Sequence, residues 1–124
     1  MANILIIDDD EKFCTMLKIT LEKAGYEVQT AGNAEVGLES IRESTPDLVV
    51  MDLLMPEKEG IETIIELHRD FPDVKIVAVS GGGFMGPESY LALAEQMGAS
   101  SSFSKPLEMA KFLDAVRELV GLDS

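Results

Sequence analysis

Short apolar runs alternate with longer amphipathic stretches along the chain. The runs lie at 4–7, 27–30, 47–51, 74–79 and 101–104. The first, third and fourth runs are almost continuous in Ile, Val and Leu, which is typical of parallel strands buried on both faces of a sheet. The fifth run is mostly serine around Phe103, so its own pattern does not identify it as a strand.

The stretches between the runs have the periodicity of helices that bury one face. Apolar residues recur at intervals of three and four between Asp10 and Ala24, and Gly25 follows as a stop signal. Asn33 suits the N-cap of a second helix, and Pro87 suits the first turn of a fourth. The third and fifth predicted helices lie around 61–67 and 107–120. We expect their buried faces to include Phe13, Met16, Leu17 and Leu21 in the first helix and Ile61, Ile64, Ile65 and Leu67 in the third.

Strand and helix therefore alternate five times, which predicts a single α/β domain with a parallel sheet covered on both faces.

The composition of the chain argues against some classes of binding partner and against secretion. The 10 Lys and Arg against 23 Asp and Glu give a net charge of −13, which argues against binding to nucleic acid or to an anionic membrane. Cys14 is the only cysteine, and we find no secretory signal or apolar stretch of membrane-spanning length. We expect a soluble, cytoplasmic domain in which Cys14 is a packing residue.

Polar side chains follow four of the five apolar runs. Asp8 and Asp9 come after the first run, Asp52 after the third, Ser80 after the fourth and Lys105 after the fifth. Because ligands of open α/β sheets bind beyond the carboxyl ends of the strands, we expect these side chains to share one edge. Each also has an ordinary structural interpretation, as a helix cap, a loop or a turn.

Asp52 is the hardest of these residues to explain structurally, because a lone acid directly after a buried run would be partly desolvated. Converging carboxylates raise one another's pKa, and a hard cation such as Mg²⁺ would relieve their repulsion. Lys105 and Ser80 could hold the oxygens of a phosphoryl group. Asp52 would then be either a metal ligand or a nucleophile that forms an aspartyl phosphate.

The order and separation of these motifs resemble those of two-component response regulator receiver domains. The matching segments are Ile-Leu-Ile-Ile-Asp-Asp at 4–9, Leu-Val-Val-Met-Asp-Leu-Leu-Met-Pro at 48–56, Gly60, Ser80-Gly81, Gly98-Ala99 and Lys105-Pro106. The resemblance implies a flavodoxin-like, doubly wound sheet of five parallel strands in the order 2-1-3-4-5, with five helices. It also implies that residues 1–124 form one receiver domain without an output domain, similar to the stand-alone regulators of chemotaxis.

The resemblance assigns a metal site and a phosphoacceptor to the acidic residues. Asp52 matches the phosphoacceptor, which also contacts the metal. Asp9 matches the direct ligand of Mg²⁺ or Mn²⁺, Asp8 the acid that acts through a water, and the backbone carbonyl of Leu54 a further ligand. The phosphoryl group would come from a sensor histidine kinase or a histidine phosphotransfer protein. The domain would assist its own phosphorylation and dephosphorylation, as a signalling protein rather than an enzyme with an external substrate.

The remaining matches concern the phosphoryl group and the conformational switch. Lys105 and Ser80 match the residues that contact the phosphoryl oxygens. Movement of Ser80 would reorganise the loop from Gly81 onwards, and a downstream protein target would bind the new conformation. The resemblance also allows homodimerisation on phosphorylation, which many receiver domains undergo. Ser102 stands where the family often has Tyr or Phe, so the usual aromatic switch is in doubt, and the adjacent Phe103 should point into the core.

Three alternatives remain beside the receiver interpretation. A haloacid-dehalogenase-type phosphatase needs an acid two residues after its nucleophile, where this chain has Leu54. A flavodoxin needs a phosphate-binding loop where this chain has three aspartates. A binding module could use the receiver fold without phosphorylation. Within the receiver interpretation, apolar Leu54 and the small Gly82 offer no polar group to orient water, which predicts slow self-dephosphorylation.

Overall fold

The computed structural model describes residues 2–53, 60–81 and 87–121, and within the last range it describes side chains from 91 onwards. The strands are β1 (Asn3–Ile7), β2 (Glu27–Ala31), β3 (Leu48–Asp52), β4 (Lys75–Ser80) and β5 (Ser101–Ser104). The helices are α1 (Glu11–Lys23), α2 (Ala34–Glu43), α3 (Gly60–Asp70), α4 (Pro87–Met97) and α5 (Met109–Val120). The predicted alternation of strand and helix is confirmed.

The five strands form one parallel sheet in the order β2-β1-β3-β4-β5. The chain adds β2 on one side of β1 and then β3, β4 and β5 on the other, so the strand order reverses beside β1. Ile7 of β1 pairs with Met51 of β3, and the residues that follow these two strands therefore meet at one edge. This is the flavodoxin-like order that the family resemblance implied, and its reversal point is where such sheets bind ligands.

Successive residues of each inner strand face two different apolar layers. Ile4 and Ile6 of β1 pack with residues of α1 and α5, whereas Leu5 and Ile7 pack with residues of α2, α3 and α4. All four side chains are buried. Burial on both faces explains why these strands are continuous apolar runs rather than alternating ones.

β5 owes its structure to its neighbours rather than to its own residues. It pairs with β4 in register, with Ser102 opposite Ala78 and Phe103 opposite Val79. Phe103 points inward as expected, and its ring and that of Phe112 form a T-shaped pair with 5.5 Å between the centroids. A serine-rich segment is therefore held as a strand by pairing and by one aromatic anchor.

The ends of the helices follow the predicted signals. Asn33 caps α2 through a bond from the Val36 amide, 2.9 Å long. Gly25, with φ 102°, takes the left-handed conformation just after α1. Within the described residues, no helix has the length and apolar content needed to cross a membrane.

The prediction of burial is wrong for two residues. Met16 of α1 and Ile65 of α3 are 41% and 43% exposed. The face of α1 that packs on the sheet carries Cys14, Leu17 and Leu21, spaced by three and four residues, and Met16 lies off that stripe. Ile65 lies about 100° around α3 from the buried Ile64, which turns it towards solvent.

Candidate functional site

Three carboxylates converge at the edge of the sheet where β1 and β3 end. Asp8 and Asp9 follow β1, and Asp52 is the last residue of β3. Each offers one oxygen, and these oxygens lie within 4.8 Å of one another. Asp8 and Asp52 are buried, at 2% and 4% exposure, and Asp9 is exposed. The predicted meeting of these residues therefore occurs, in a cluster that reaches solvent on the side of Asp9.

Hydrogen bonds fix Asp8 within this cluster. Its backbone N–H donates to the Ala31 carbonyl at 3.1 Å, and its carboxylate accepts from the Asp10 N–H at 2.9 Å. The Asp10 carboxylate points elsewhere, because it accepts from the amides of Lys12 and Phe13 and so caps α1. The three consecutive aspartates thus divide into two that join the cluster and one that begins a helix.

Lys105 brings a positive charge to the cluster. Its Nζ donates to Asp8 Oδ2 at 2.8 Å, and its backbone N–H donates to the Ser80 carbonyl at 2.9 Å. Burial alone would lower the pKa of Lys105. The hydrogen bond to Asp8 and the charges of Asp52 and Asp8 more than offset that effect, so the pKa lies above its usual value. The ammonium is therefore charged at neutral pH.

Ser80 ends β4 next to the end of β3. Its neighbour Val79 pairs with Asp52, and the Leu53 N–H donates to the Val79 carbonyl at 3.0 Å. The Ser80 side chain is fully buried, whereas Gly81 is exposed. A Cβ at Gly81 would lie 3.4 Å from Cδ of Lys105, so the chain passes close to the lysine at this point.

Gly60 allows α3 to begin directly against the end of β3. Its N–H donates to the Leu53 carbonyl at 3.1 Å. A Cβ at this position would lie 2.4 Å from the backbone oxygen of Asp52 and 2.5 Å from the Leu53 Cα, which is closer than real Cβ contacts occur. The absence of a side chain here therefore allows α3 to start this close to the backbone of Asp52.

Two further residues belong to the surroundings of the site, and the periodicity of α1 identified neither as such. The Phe13 ring lies under the Lys105 ammonium, with 4.2 Å from Nζ to its centroid. The Cys14 thiol donates to the Asp8 carbonyl at 3.4 Å. Burial, and then the negative charge of Asp8 and Asp10, raise the pKa of Cys14 to about 11. Cys14 is thus a buried, protonated packing residue, as predicted.

The other predicted site residues lie apart from the cluster or outside the described residues. Ser102, on β5, donates a hydrogen bond to the carboxylate of Glu95 on α4. Phe103 packs against the apolar layer of α1 and α5. Leu54 and Gly82 are outside the described residues.

The donor set suits a hard divalent cation. It consists of carboxylate oxygens close enough to share one ion, and one of the three acids is exposed. Mg²⁺ prefers a few carboxylates and keeps several water ligands, which requires such an open side. The residues present therefore fit a magnesium site, and they would equally accept Mn²⁺.

Comparison with known proteins identifies the family. The sequence profile of the response regulator receiver domain matches residues 4–117. The chain belongs to this family. The receiver domain is 35% identical over 117 residues to the chemotaxis protein CheY of Thermotoga maritima, covering 94% of this chain and 95% of that protein. It is also 35% identical over 116 residues to CheY of Bacillus subtilis, covering 93% of this chain and 94% of that protein.

A solved structure of similar shape is that of the response regulator TrrA of Thermotoga maritima in complex with Mg²⁺ and BeF. It superimposes with a TM-score of 0.86 at 28% identity, over 97% of the receiver domain and all of TrrA. The fold and the general function are thereby shown. The chain is a phosphoacceptor receiver domain of two-component signalling, and a binding module independent of phosphorylation is not favoured.

Membership also defines the type of partner and cofactor. Receiver domains are signalling domains that interact with histidine kinases or phosphotransfer proteins and with downstream targets. They bind Mg²⁺ at an acidic pocket, and the cluster of Asp8, Asp9 and Asp52 is consistent with such a pocket.

Proposed function

We propose that Asp52 is the phosphoacceptor of this receiver domain and takes its phosphoryl group from a phosphohistidine. The donor is a sensor histidine kinase or a histidine phosphotransfer protein. A carboxylate oxygen of Asp52 forms a new bond to phosphorus as the bond from phosphorus to the donor imidazole nitrogen breaks, and the electron pair stays on that nitrogen. The observation that carries this proposal is the convergence of Asp52 with two further acids and Lys105 at the strand reversal.

The surrounding residues offset the negative charge that the phosphoryl group brings. Asp9 and Asp52 would hold Mg²⁺ directly, Asp8 through a water, and the backbone carbonyl of Leu54 would be a further ligand. When bound, the cation neutralises negative charge on the phosphoryl oxygens. Lys105 would reach the same oxygens by exchanging its bond to Asp8, because phosphoryl oxygens compete with the carboxylate for the N–H groups of the ammonium. Catalysis is then positioning and charge neutralisation within the domain itself.

We propose that the switch begins at the end of β4. Ser80 lies beside the end of β3, so its hydroxyl can follow the new phosphoryl oxygens and draw Gly81 with it. The bond from the Lys105 amide to the Ser80 carbonyl would transmit this movement to β5, which holds Ser102 and Phe103. A downstream protein then binds the altered surface. Homodimerisation on phosphorylation, slow self-dephosphorylation, a single receiver unit over 1–124 and a cytoplasmic location stay predictions.

The test is labelling with acetyl phosphate, a small phosphoryl donor, followed by intact-mass measurement with Mg²⁺ or with EDTA. We expect a mass increase of one phosphoryl group that requires Mg²⁺ and is lost in Asp52→Asn. Asp114→Asn is the matched control, because it removes an exposed aspartate of α5 whose side chain is 72% exposed. A label that persists in Asp52→Asn would place the acceptor elsewhere.

A further inference from the structure

Two groups near the start of α1 hold the charged end of Lys105. Its Nζ donates to Asp8 Oδ2 at 2.8 Å and lies 4.2 Å from the centroid of the Phe13 ring. The second distance is that of a cation–π contact, in which an ammonium is attracted to the negative face of an aromatic ring. Phe13 therefore interacts with the cation of the site, although it was predicted only as a packing residue.

The ring is itself held by the segment that forms the site. The Phe13 N–H donates to Asp10 Oδ1 at 3.1 Å, and the Asp10 N–H donates to Asp8 Oδ1 at 2.9 Å. The Phe13 side chain also packs against the apolar layer of α1 and α5. These contacts set the ring at a defined place relative to Asp8, so it can hold a lysine that arrives from the end of β5.

The two partners of the ammonium respond differently when a phosphoryl group reaches Asp52. Phosphoryl oxygens compete with the Asp8 carboxylate for the N–H donors of Lys105. The ring attracts the charge of the ammonium rather than one particular N–H, so this contact can persist while the lysine changes its hydrogen-bond partner. An aliphatic side chain at position 13 would fill similar space without this attraction.

We propose that Phe13 is a positioning residue that holds the Lys105 ammonium beside Asp52 during phosphoryl transfer. It acts through Lys105 and not on the phosphoryl group. The proposal rests on the proposed function, because it requires that Asp52 is the acceptor.

The experiment compares Phe13→Leu and Phe13→Tyr with the wild type in the rate of labelling by acetyl phosphate. We expect labelling of Phe13→Leu to be about fivefold slower than labelling of the wild type, because the energy of a modest cation–π contact corresponds to that factor in rate. We expect Phe13→Tyr to be labelled at the wild-type rate, because its ring keeps the negative face. Leu21→Val is the matched control for stability, because Leu21 is buried in the same helix about two turns from Phe13. A spectroscopic readout accompanies the rates. The Lys105 Hε protons should show an upfield ring-current shift in the NMR spectra of the wild type and Phe13→Tyr that is absent in Phe13→Leu.

Each outcome decides the proposal. A slow Phe13→Leu with rescue by Tyr supports it, and so does a slow Phe13→Met if the leucine variant does not fold. Equal labelling of Phe13→Leu and the wild type overturns the role of Phe13 and leaves the proposed function intact. A loss of labelling rate in Leu21→Val as large as that in Phe13→Leu also overturns the role of Phe13. A wild type without label overturns the proposed function, and the role of Phe13 with it.

Discussion

Asp8 is a buried acid that accepts hydrogen bonds from three described residues. It accepts from the Asp10 amide and from Lys105, and its carbonyl accepts from the Cys14 thiol. A buried carboxylate is costly without such bonds, and the cluster carries three carboxylates for one lysine. The site is therefore rich in negative charge, which favours a cation and disfavours ionisation of the neighbouring Cys14 thiol.

Burial, and then this negative charge, raises the pKa of Cys14. Its pKa of about 11 leaves roughly one thiol in a thousand ionised at pH 8, against about one in ten for an ordinary thiol. In EDTA at pH 8, we expect iodoacetamide to alkylate the folded protein at least about a hundredfold more slowly than the protein in urea. Mass spectrometry of timed samples measures both rates. Similar rates in the two states would contradict the burial of this thiol.

The same shift predicts how stability depends on alkaline pH. The folded protein binds the Cys14 proton more tightly than the unfolded chain does, so the stabilisation is complete below the ordinary pKa of 9.0 and is lost as the pH rises towards about 11. Lys105, whose pKa is also raised, acts in the same direction. Urea unfolding between pH 8 and 11 should show a falling free energy of unfolding, with a smaller fall in Cys14→Ala.

At the scale of elements, the site depends on how closely α3 and β4 approach the end of β3. α3 begins at Gly60, whose backbone lies against Asp52 and Leu53. β4 aligns Val79 with Asp52 and so brings Ser80 beside it. The position of Asp52 is thus determined by two neighbouring elements as well as by its own strand.

We expect Gly60→Ala to lower the free energy of unfolding by about 1–3 kcal/mol, because backbone atoms must move to admit a methyl group. The added Cβ would otherwise lie 2.4 Å from the Asp52 oxygen. Gly32→Ala is the control, since no atom of the described residues lies within 4 Å of a Cβ at Gly32. Urea titration measures both variants, and labelling of Asp52 should be slower in Gly60→Ala. Equal effects of the two substitutions would show that close packing at Gly60 is unimportant.

The hydrogen bond between Ser102 of β5 and Glu95 of α4 allows a prediction about how firmly α4 is held to the sheet. Ser102 donates to Glu95, which joins the middle of β5 to α4. Removing the hydroxyl in Ser102→Ala should weaken this contact by about 0.5–1.5 kcal/mol, and amide hydrogen exchange in α4 should become roughly two- to tenfold faster. Ser104→Ala, an exposed serine of the same strand, is the control. Unchanged exchange in α4 would mean that other contacts hold this helix to the sheet.

Over the whole molecule, the acids behind the net charge of −13 fall into two groups, one gathered at the edge of the sheet and one dispersed over the surface. Asp8, Asp9 and Asp52 are drawn together by the sheet. Other acids lie on helix surfaces and between elements, and some form exposed pairs with cations, such as Glu108 at the N-cap of α5 with Lys111. Exposed pairs contribute little stability, so the acidic cluster is where ions should affect the molecule most.

We therefore expect Mg²⁺ to stabilise the folded protein. At a free concentration of ten times the dissociation constant, it should raise the free energy of unfolding by about 1.4 kcal/mol. Sodium chloride at the same ionic strength controls for general screening of the acidic surface. Urea titrations should show most of the Mg²⁺ effect disappear in Asp9→Asn. An equal response of the variant would mean that the cation binds elsewhere.

The local pattern of residues determined most of the architecture. Continuous apolar runs, the stop signal Gly25, the N-cap Asn33 and polar residues at strand ends act over a few positions, so their meaning can be read along the chain. Helical periodicity predicted too many buried residues, because spacing alone does not give the width of the buried stripe. Met16 and Ile65 are the residues wrongly predicted as buried. The order of the strands came from the resemblance to receiver domains and not from these patterns.

Tertiary structure decided the contacts between residues far apart in the chain. Lys105 reaches Asp8 across 97 positions, and no local spacing indicates that it also meets the ring of Phe13. The serine-rich β5 becomes a strand only beside β4, and Asp10 is separated from Asp8 and Asp9 only when α1 takes it as a cap. Short-range propensities act within one turn or strand, whereas charge pairing and close packing depend on which surfaces the whole fold brings together. The sequence by itself therefore determined most of the elements and the candidate acids, and the fold decided that β5 is a strand and which of the site residues meet.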